Sequence, residues 1–592
     1  MSAADEYAQR LAARETEARR LQTLNNRIGY LRLLITLAAG VLAWWSLLRH
    51  VLAPWWLAVP IGAFIGTVLY HSFVRTARSR AERAAAFYRR GLARIEDRWN
   101  GEGSRGERFN DPSHVYAADL DLFGNGSLFQ LLTLARTRMG EDTLARWLLQ
   151  PASPQIVEQR HAAIVDLRER RDLREALAVL GNEVIVGVQP DALLAWAEGP
   201  ARLPQRWISW VAGVLPVLAV ATAVVWSVSG FASPLLLVLL AAVAMRYVFR
   251  NPLENALRGT EAAFEDLKLF AALLLRIEGE PFSAPHLIER VRSFRSHALN
   301  ASQAIARLAR IVELIEARRN PILAVLDVPL MYSINAVLAA ERWRRAHGKV
   351  VREWIDALGE IEALVSLAAY SDEHPEDVFP QIVEGPPLFE AVELGHPLLP
   401  MARCVRNSVS ITGKTRVLLV SGSNMSGKST LLRAVGINVV LAMAGAPVRS
   451  RRLRLTALQV GASIRINDSL HEGSSRFYAE ITRLRRLHDL TRQHPSLLFL
   501  LDELLQGTNS SDRRVGAEGI VRAFVERQAI GLISTHDLAL TDIGGLPEGA
   551  LHNVHFQDEL RNGQMRFDFK LREGVVTRSN GIELMRAIGL DV

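Results

Sequence analysis

The chain has a single cysteine, Cys404, among 592 residues. One thiol cannot close an internal disulfide or build a cysteine-based zinc site, which fits a reducing, cytoplasmic setting and leaves redox chemistry without a basis. No internal repeat or low-complexity tract interrupts it. Charge is missing from three long stretches: Leu33 to Leu48, Val51 to Val74, and everything between Arg206 and Arg246. Charged residues make up 22% of the chain, yet the mean hydropathy is positive, so the apolar side chains are concentrated in particular stretches. A chain this long, with 49% apolar residues, is divided among several domains rather than gathered round one core.

Leu33–Leu48 and Val51–Val74 each approach the length of a bilayer span. Pro54 and the tryptophans Trp44, Trp45, Trp55 and Trp56 cluster at their junction, where a turn at the far interface puts the rings at headgroup level. The third stretch is broken by Ser227, Ser229, Gly230, Ser233 and Pro234 into halves Trp207–Trp226 and Leu235–Phe249. Buried core helices seldom run this far without a polar face, so the reading is two transmembrane hairpins. A charged helix before the first span and a second span after it argue against a cleaved signal peptide. Arginines flank the open ends: Arg10, Arg14, Arg19, Arg20 and Arg27 before the first hairpin, Arg75, Arg78, Arg80 and Arg83 after it, Arg202 and Arg206 before the second, and Arg246, Arg250 and Arg258 after it. By the positive-inside rule both ends of each hairpin stay cytoplasmic. The expectation is a multi-pass protein of a bacterial-type inner membrane, with the lipid bilayer as a partner and the soluble mass in the cytoplasm.

The net charge of +8 suits an anionic partner, nucleic acid or lipid headgroup, although basic flanks of membrane spans account for much of the same excess. Leu120 to Asp191 and Leu253 to Ala369 carry helical spacing, with Ile305, Leu308, Val312 and Ile315 on one face and an arginine-rich helix expected over Arg290–Arg319. After Pro386 and Pro387 the pattern changes to short apolar runs, Arg416–Val420, Ser496–Leu501 and Ala529–Ser534, separated by helical stretches. That alternation predicts an α/β domain with a mainly parallel sheet.

Gly422-Ser423-Asn424-Met425-Ser426-Gly427-Lys428-Ser429 fits the P-loop pattern and stands between the strand Val417–Val420 and a helix opening at Thr430. In such a loop the backbone N–H groups wrap phosphates, Lys428 reaches the β and γ oxygens and the Ser429 hydroxyl ligates Mg2+. The residues implied for ATP are Gly422 through Thr430. Further on, Leu497–Leu501 runs into Asp502-Glu503, a buried strand ending in two carboxylates. Asp502 is the expected second Mg2+ residue and Glu503 the expected general base. Between and after these motifs lie Glu472–Glu480, Gln506–Asp512 and Ile533-Ser534-Thr535-His536-Asp537, each unremarkable alone.

In this order and spacing the motifs resemble the MutS family. The resemblance rests on Ser423–Thr430, Gly461-Ala462-Ser463, Asp502-Glu503, Gly507-Thr508, Thr535-His536 and Asn553-Val554-His555, with Gly395-His396-Pro397 similar to the start of the family's ATPase domain. Leu120-Asp121-Leu122-Phe123, Thr143–Leu148 and Pro151 are similar to the start of its helical core, and Leu253–Ala369 looks like its lever region. The resemblance implies a homodimer in which Ser474 and Ser475 act as a signature in trans on nucleotide held by the other subunit, with His536 sensing the γ-phosphate. It also implies double-stranded DNA as a ligand. Four departures accompany it: a short helix and a membrane hairpin where the family has its N-terminal mismatch-reading domain with a Phe-x-Glu element, Arg476 where the family has threonine, Cys404 where the family places an aromatic on adenine, and a short space between the lever helices for a DNA-gripping clamp.

The combined expectation is a multidomain α plus α/β protein, a mainly helical core and lever region with two transmembrane hairpins followed by a P-loop, ABC-like ATPase domain. Residues 1–105 hold the charged helix, the first hairpin (about 31–74) and a basic return helix; 106–206 a core-like helical segment; 207–250 the second hairpin; 251–387 the core and lever; and 388–592 the ATPase. A cassette transporter is the first rival, but no Leu-Ser-Gly-Gly-Gln-like signature lies between the motifs. A membrane scaffold or remodelling ATPase that does not touch DNA is the second.

Overall fold

The computed structural model describes residues 2–180, 190–199, 206–257, 264–295, 299–317, 321–465, 476–506, 508–561 and 564–576. In chain order the helices are α1 (Ala3–Ala43), α2 (Ala58–Ile95), α3 (Leu128–Leu132), α4 (Arg138–Leu149), α5 (Pro154–Arg168), α6 (Arg171–Leu180), α7 (Pro190–Glu198), α8 (Arg206–Ser229) and α9 (Ser233–Leu257). They continue with α10 (Phe264–Glu278), α11 (Pro285–Phe294), α12 (Ala301–Glu316), α13 (Pro321–Leu330), α14 (Tyr332–His347) and α15 (Val351–Glu373). The C-terminal part alternates: β1 (Gln381–Ile382), β2 (Phe389–Leu394), β3 (Asn407–Ile411), β4 (Val417–Ser421), α16 (Lys428–Ala444), β5 (Arg452–Leu455), β6 (Leu458–Ser463) and α17 (Arg476–Leu490). It ends with β7 (Ser496–Asp502), α18 (Ser510–Glu526), β8 (Ile530–Thr535), β9 (Leu551–Arg561) and β10 (Gln564–Glu573).

The chain divides into two compact units. One comprises Met1–Trp99 and Arg170–Glu183, the other Asn100–Glu169 and Val184–Val592. In the first, α1 and α2 pack side by side along their length. Their apolar halves turn Leu33, Leu34, Leu37, Ile61 and Leu69 outward. The charged ends close on α6: the buried Glu175 accepts from the Tyr88 hydroxyl at 2.5 Å and pairs with Arg14 at 2.6 Å. A buried carboxylate demands such partners, and this is why α6 groups with α1 and α2 rather than with the helical core around it in sequence. Ala3–Leu48, Pro54–Ile95 and Trp207–Ser229 are long and apolar enough to cross a membrane, and Ser233–Val248 is an apolar helix of shorter length.

In the second unit α8 and α9 form a hairpin turned at Gly230, whose φ of +72° suits glycine. The long helix α15 is the spine of the helical core and packs against α4, α5 and α11. Its fully buried Glu362 accepts the Arg136 N–H at 2.9 Å and the Thr137 hydroxyl, fixing the start of α4. The single helix expected over Arg290–Arg319 is instead two, α11 and α12, with Ile305, Leu308, Val312 and Ile315 buried as the spacing requires. The break has a tertiary cause. Glu278 at the end of α10 is 4% exposed and accepts from Ser302 N–H at 2.9 Å and from its hydroxyl at 2.6 Å, so a carboxylate caps α12 from outside.

The α/β part holds a six-stranded sheet in the order β10-β9-β4-β8-β7-β6, parallel except for the antiparallel edge strand β10, and a four-stranded sheet in the order β1-β5-β2-β3. Strands β4, β6 and β8 are buried along their whole length, as strands inside a parallel sheet covered on both faces are. Beyond its first turns helix α16 is buried almost all round, because the sheet and the helical core both pack on it. At Gly436 on α16 a Cβ would lie 2.6 Å from Leu500 and 2.8 Å from Leu120, so glycine permits the close docking of the Leu120–Phe123 segment.

Candidate functional site

The C-terminal ends of β4, β7 and β8 lie side by side, with Ser421 paired to Thr535 and Asp502 to Ser534. Loops leaving this edge of a parallel sheet are where open α/β folds bind ligands. Residues 422–427 carry β4 into α16, and Gly422, Met425 and Gly427 have φ of +150°, +68° and +110°. Left-handed steps of this kind just ahead of a helix N-terminus are the backbone geometry from which anion-binding loops are built. The hydroxyls of Ser423 and Ser426 are buried and have no hydrogen-bond partner. Lys428 is 5% exposed, and its Nζ donates to the carbonyls of Gly422 at 2.8 Å and Ser423 at 3.0 Å. Burial pulls its pKa below the usual lysine range, against the opposing pull of Glu503 and Asp502.

Asp502 ends β7 and accepts from the Ser534 hydroxyl on β8. Glu503 follows with φ of +53°, a costly conformation for a side chain of this size. Its N–H donates to the Ser534 carbonyl at 3.1 Å. One carboxylate oxygen lies 3.1 Å from Nδ1 of His536, and the other accepts from Gln506. The structure thus joins Glu503 to His536, and from the α17 side Glu480 braces the same loop by accepting Leu505 N–H at 2.6 Å. Ser474, Ser475 and Gly507 lie outside the described residues.

Beside Gly427 and Thr430 opens a cavity of about 200 Å3 lined by Leu399, Arg403, Cys404, Phe556 and Phe569. Cys404 therefore does line a pocket next to the loop, and two rings face the same space. Phe569 was not legible in sequence. It sits in a bulge of β10 with φ of +53°, and Asn407 brackets it, donating to the Phe569 carbonyl at 2.9 Å and accepting Leu571 N–H at 2.8 Å. Bulges beside sites re-aim side chains, and here the ring comes within 3.2 Å of where a Cβ on Gly427 would be. The only cue in sequence is an aromatic pair, Phe567 and Phe569, on an edge strand.

Two buried polar networks tie this edge to the helical core. Asp377 accepts from the Tyr370 hydroxyl at 2.6 Å and from Arg449 at 3.3 Å, while Asn438 on α16 accepts Arg449 N–H and donates to the Gly395 carbonyl. Tyr370 belongs to α15, so the spine of the core reaches the segment that walls the pocket. Burial pushes the His396 imidazole down to about 4, which keeps it neutral, with Nδ1 accepting Leu398 N–H at 3.2 Å. The second network centres on Asp119, which accepts Ile464 N–H at 2.9 Å and Arg465 N–H at 2.6 Å at the end of β6 and pairs with Arg483 of α17 at 2.6 Å.

Fold and site together define an α/β domain with a parallel sheet whose strand ends carry a glycine-rich loop, a lysine and a carboxylate pair. Residues 418–591 match the model of MutS domain V. The chain is 31% identical over 265 residues to an Endonuclease MutS2 of Thermus thermophilus, covering 43% of this chain and 33% of that protein. It is 31% identical over 264 residues to the DNA mismatch repair protein MSH6 of Arabidopsis thaliana, covering 41% and 20%. With a DNA mismatch repair protein MutS 2 of Halobacterium salinarum identity is 34% over 248 residues, covering 40% and 27%. The similarity to MutS proteins thus lies in the C-terminal α/β part of the chain. It spans a third or less of the length of these relatives.

Proposed function

We propose that the protein is a membrane-anchored ATPase of the MutS type that binds and hydrolyses ATP in a composite homodimer and engages double-stranded DNA without reading mismatches. The observation that carries the ATPase reading is the convergence of Lys428, Asp502, Glu503 and His536 on one sheet edge, around a loop with two unpartnered buried hydroxyls. Those hydroxyls, the glycine-rich turn and a largely apolar pocket with two rings and Arg403 in its wall fit a nucleotide: phosphates in the loop, adenine between Cys404 and Phe569. The Ser429 hydroxyl and the Asp502 carboxylate are hard oxygen donors that fit Mg2+. Bound Mg2+ supplies charge stabilisation at the phosphate oxygens.

The chain's own groups do the rest. Lys428 gives up two carbonyl partners to reach phosphate, an exchange of hydrogen bonds that costs little. Glu503 accepts the proton of the attacking water, held in place by His536 and Gln506. Ser474 and Ser475 serve the partner's nucleotide. If Phe569 stacks on adenine, Phe569→Ala weakens equilibrium ATP binding about tenfold, ~1.4 kcal/mol, with kcat within about twofold. Unchanged affinity would remove the ring from the site.

The membrane reading is supported by the outward-facing apolar side chains of α1, α2, α8 and α9. It places the ATPase on the inner face of a bacterial-type membrane, and extraction of the full chain by carbonate without detergent would sink it. The DNA reading is supported by the names of the relatives and by Arg292, Arg307 and Arg310, which are exposed on α11 and α12. Such arginines pair with phosphates, so binding of the full chain in lipid discs to duplex DNA is expected to fall with a log–log salt slope of roughly −0.9 per contact. Matched and mismatched duplexes should bind within about tenfold. No binding to any duplex at low salt would favour the scaffold alternative.

A further inference from the structure

Helix α13 is built the wrong way round for water. Its sequence holds one charged residue, Asp327, and that residue is 5% exposed, whereas Val325 is 72%, Leu326 45% and Leu330 44% exposed. A helix at a protein surface ordinarily does the reverse. Asp327 is fully engaged: it accepts Ser333 N–H at 2.8 Å, the Ser333 hydroxyl, and Nη1 of Arg246 on α9 at 3.0 Å. The chain turns at Met331, whose φ is +47°, into α14, where Asn335 donates to the Ala212 carbonyl of α8 at 2.9 Å. The α13–α14 corner is therefore fastened to both helices of the second apolar hairpin.

The height of this attachment is decisive. Ala212 and Arg246 lie 18 and 16 residues from the turn at Gly230, counted as 230 − 212 and 246 − 230. At about 1.5 Å per residue both are roughly 25 Å from the tip, close to the thickness of a bilayer's hydrocarbon core of about 30 Å. A hairpin that spans the membrane thus holds α13 at the near headgroup boundary.

We propose that α13 is an interfacial helix, with Val325, Leu326 and Leu330 buried in the cytoplasmic leaflet beside the second hairpin. The proposal rests on the membrane reading of that hairpin. Its consequence is that the helical core is seated on lipid: α14 continues from α13 and packs on α12, where Trp343 Nε1 donates to the Ala304 carbonyl at 2.7 Å.

The test uses the full chain carrying Cys404→Ser, reconstituted in phosphatidylglycerol–phosphatidylethanolamine vesicles. An environment-sensitive fluorophore is attached at Val325→Cys or, as a second position, Leu330→Cys. Val220→Cys in α8 is the span control and Ile156→Cys in α5 the water control. At 325 and 330, lipids bearing a quencher high on the acyl chain should reduce emission about twofold, deeper quenchers less, and aqueous iodide little. Iodide quenching at 325 and 330 while Val220→Cys is quenched by lipid would overturn the proposal and leave the membrane reading standing. Protection at 325 and 330 from both quenchers would mean that protein, such as a second copy, covers the helix, and would also overturn it. No lipid quenching at position 220 would remove the membrane reading and the proposal together.

Discussion

Lys428→Ala abolishes ATP binding, whereas Glu503→Ala binds ATP with the parent affinity and turns it over about 10²–10⁴ times more slowly, the ordinary contribution of a positioned general base. The two residues differ in what they hold. Lys428 is buried against the loop carbonyls with its ammonium as the loop's only side-chain charge, so its loss removes the charge that meets phosphate. Glu503 stands at the end of β7 in a left-handed conformation, tied to His536 and Gln506. Equilibrium ATP binding and single-turnover hydrolysis separate the roles, and hydrolysis by Glu503→Ala at the parent rate would show that another group activates water. Because His536 contacts Glu503 directly, His536→Ala should lower turnover more than affinity in the same pair of measurements.

The second large effect is expected from mixing subunits. Ser475→Arg chains and Lys428→Ala chains should each be inactive alone, because one fails to serve its partner's nucleotide and the other fails to hold its own. Mixed, they form a heterodimer with one intact pair, in which the Ser475→Arg chain's sound loop faces the Lys428→Ala chain's sound signature. About half of the parent activity per heterodimer is expected if the sites fire independently. A mixture that stays inactive, with heterodimers proved by differential tagging, would assign Ser475 to its own subunit.

Much of the candidate site was legible because its signals are local. A strand, a glycine-rich turn and a helix follow one another without interruption from Val417 to Ala444, and β7 and β8 begin and end within a residue or so of the apolar runs that announced them. The break between α11 and α12 was not legible, since the carboxylate that caps α12 comes from Glu278 on another helix. Nor was the place of α6, which depends on Glu175 finding Tyr88 and Arg14 from far upstream. Phe569 was hidden for the same reason: regular alternation along β10 says nothing of a bulge held by Asn407 of β3.

The sequence by itself determined the type and order of the chemical groups at the sheet edge and the location of the long uncharged stretches, because both are written in contiguous residues. Tertiary structure decided which distant groups meet: Glu503 with His536, Phe569 with the wall at Cys404, Asp377 with Arg449 and Tyr370, and Asp327 with Arg246. In each, a buried or strained group gains a neighbour from another segment of the chain that no short window of sequence specifies. Burial is a property of the folded chain and not of any local window, so the need for the partner, and the partner itself, exist only once the fold has formed.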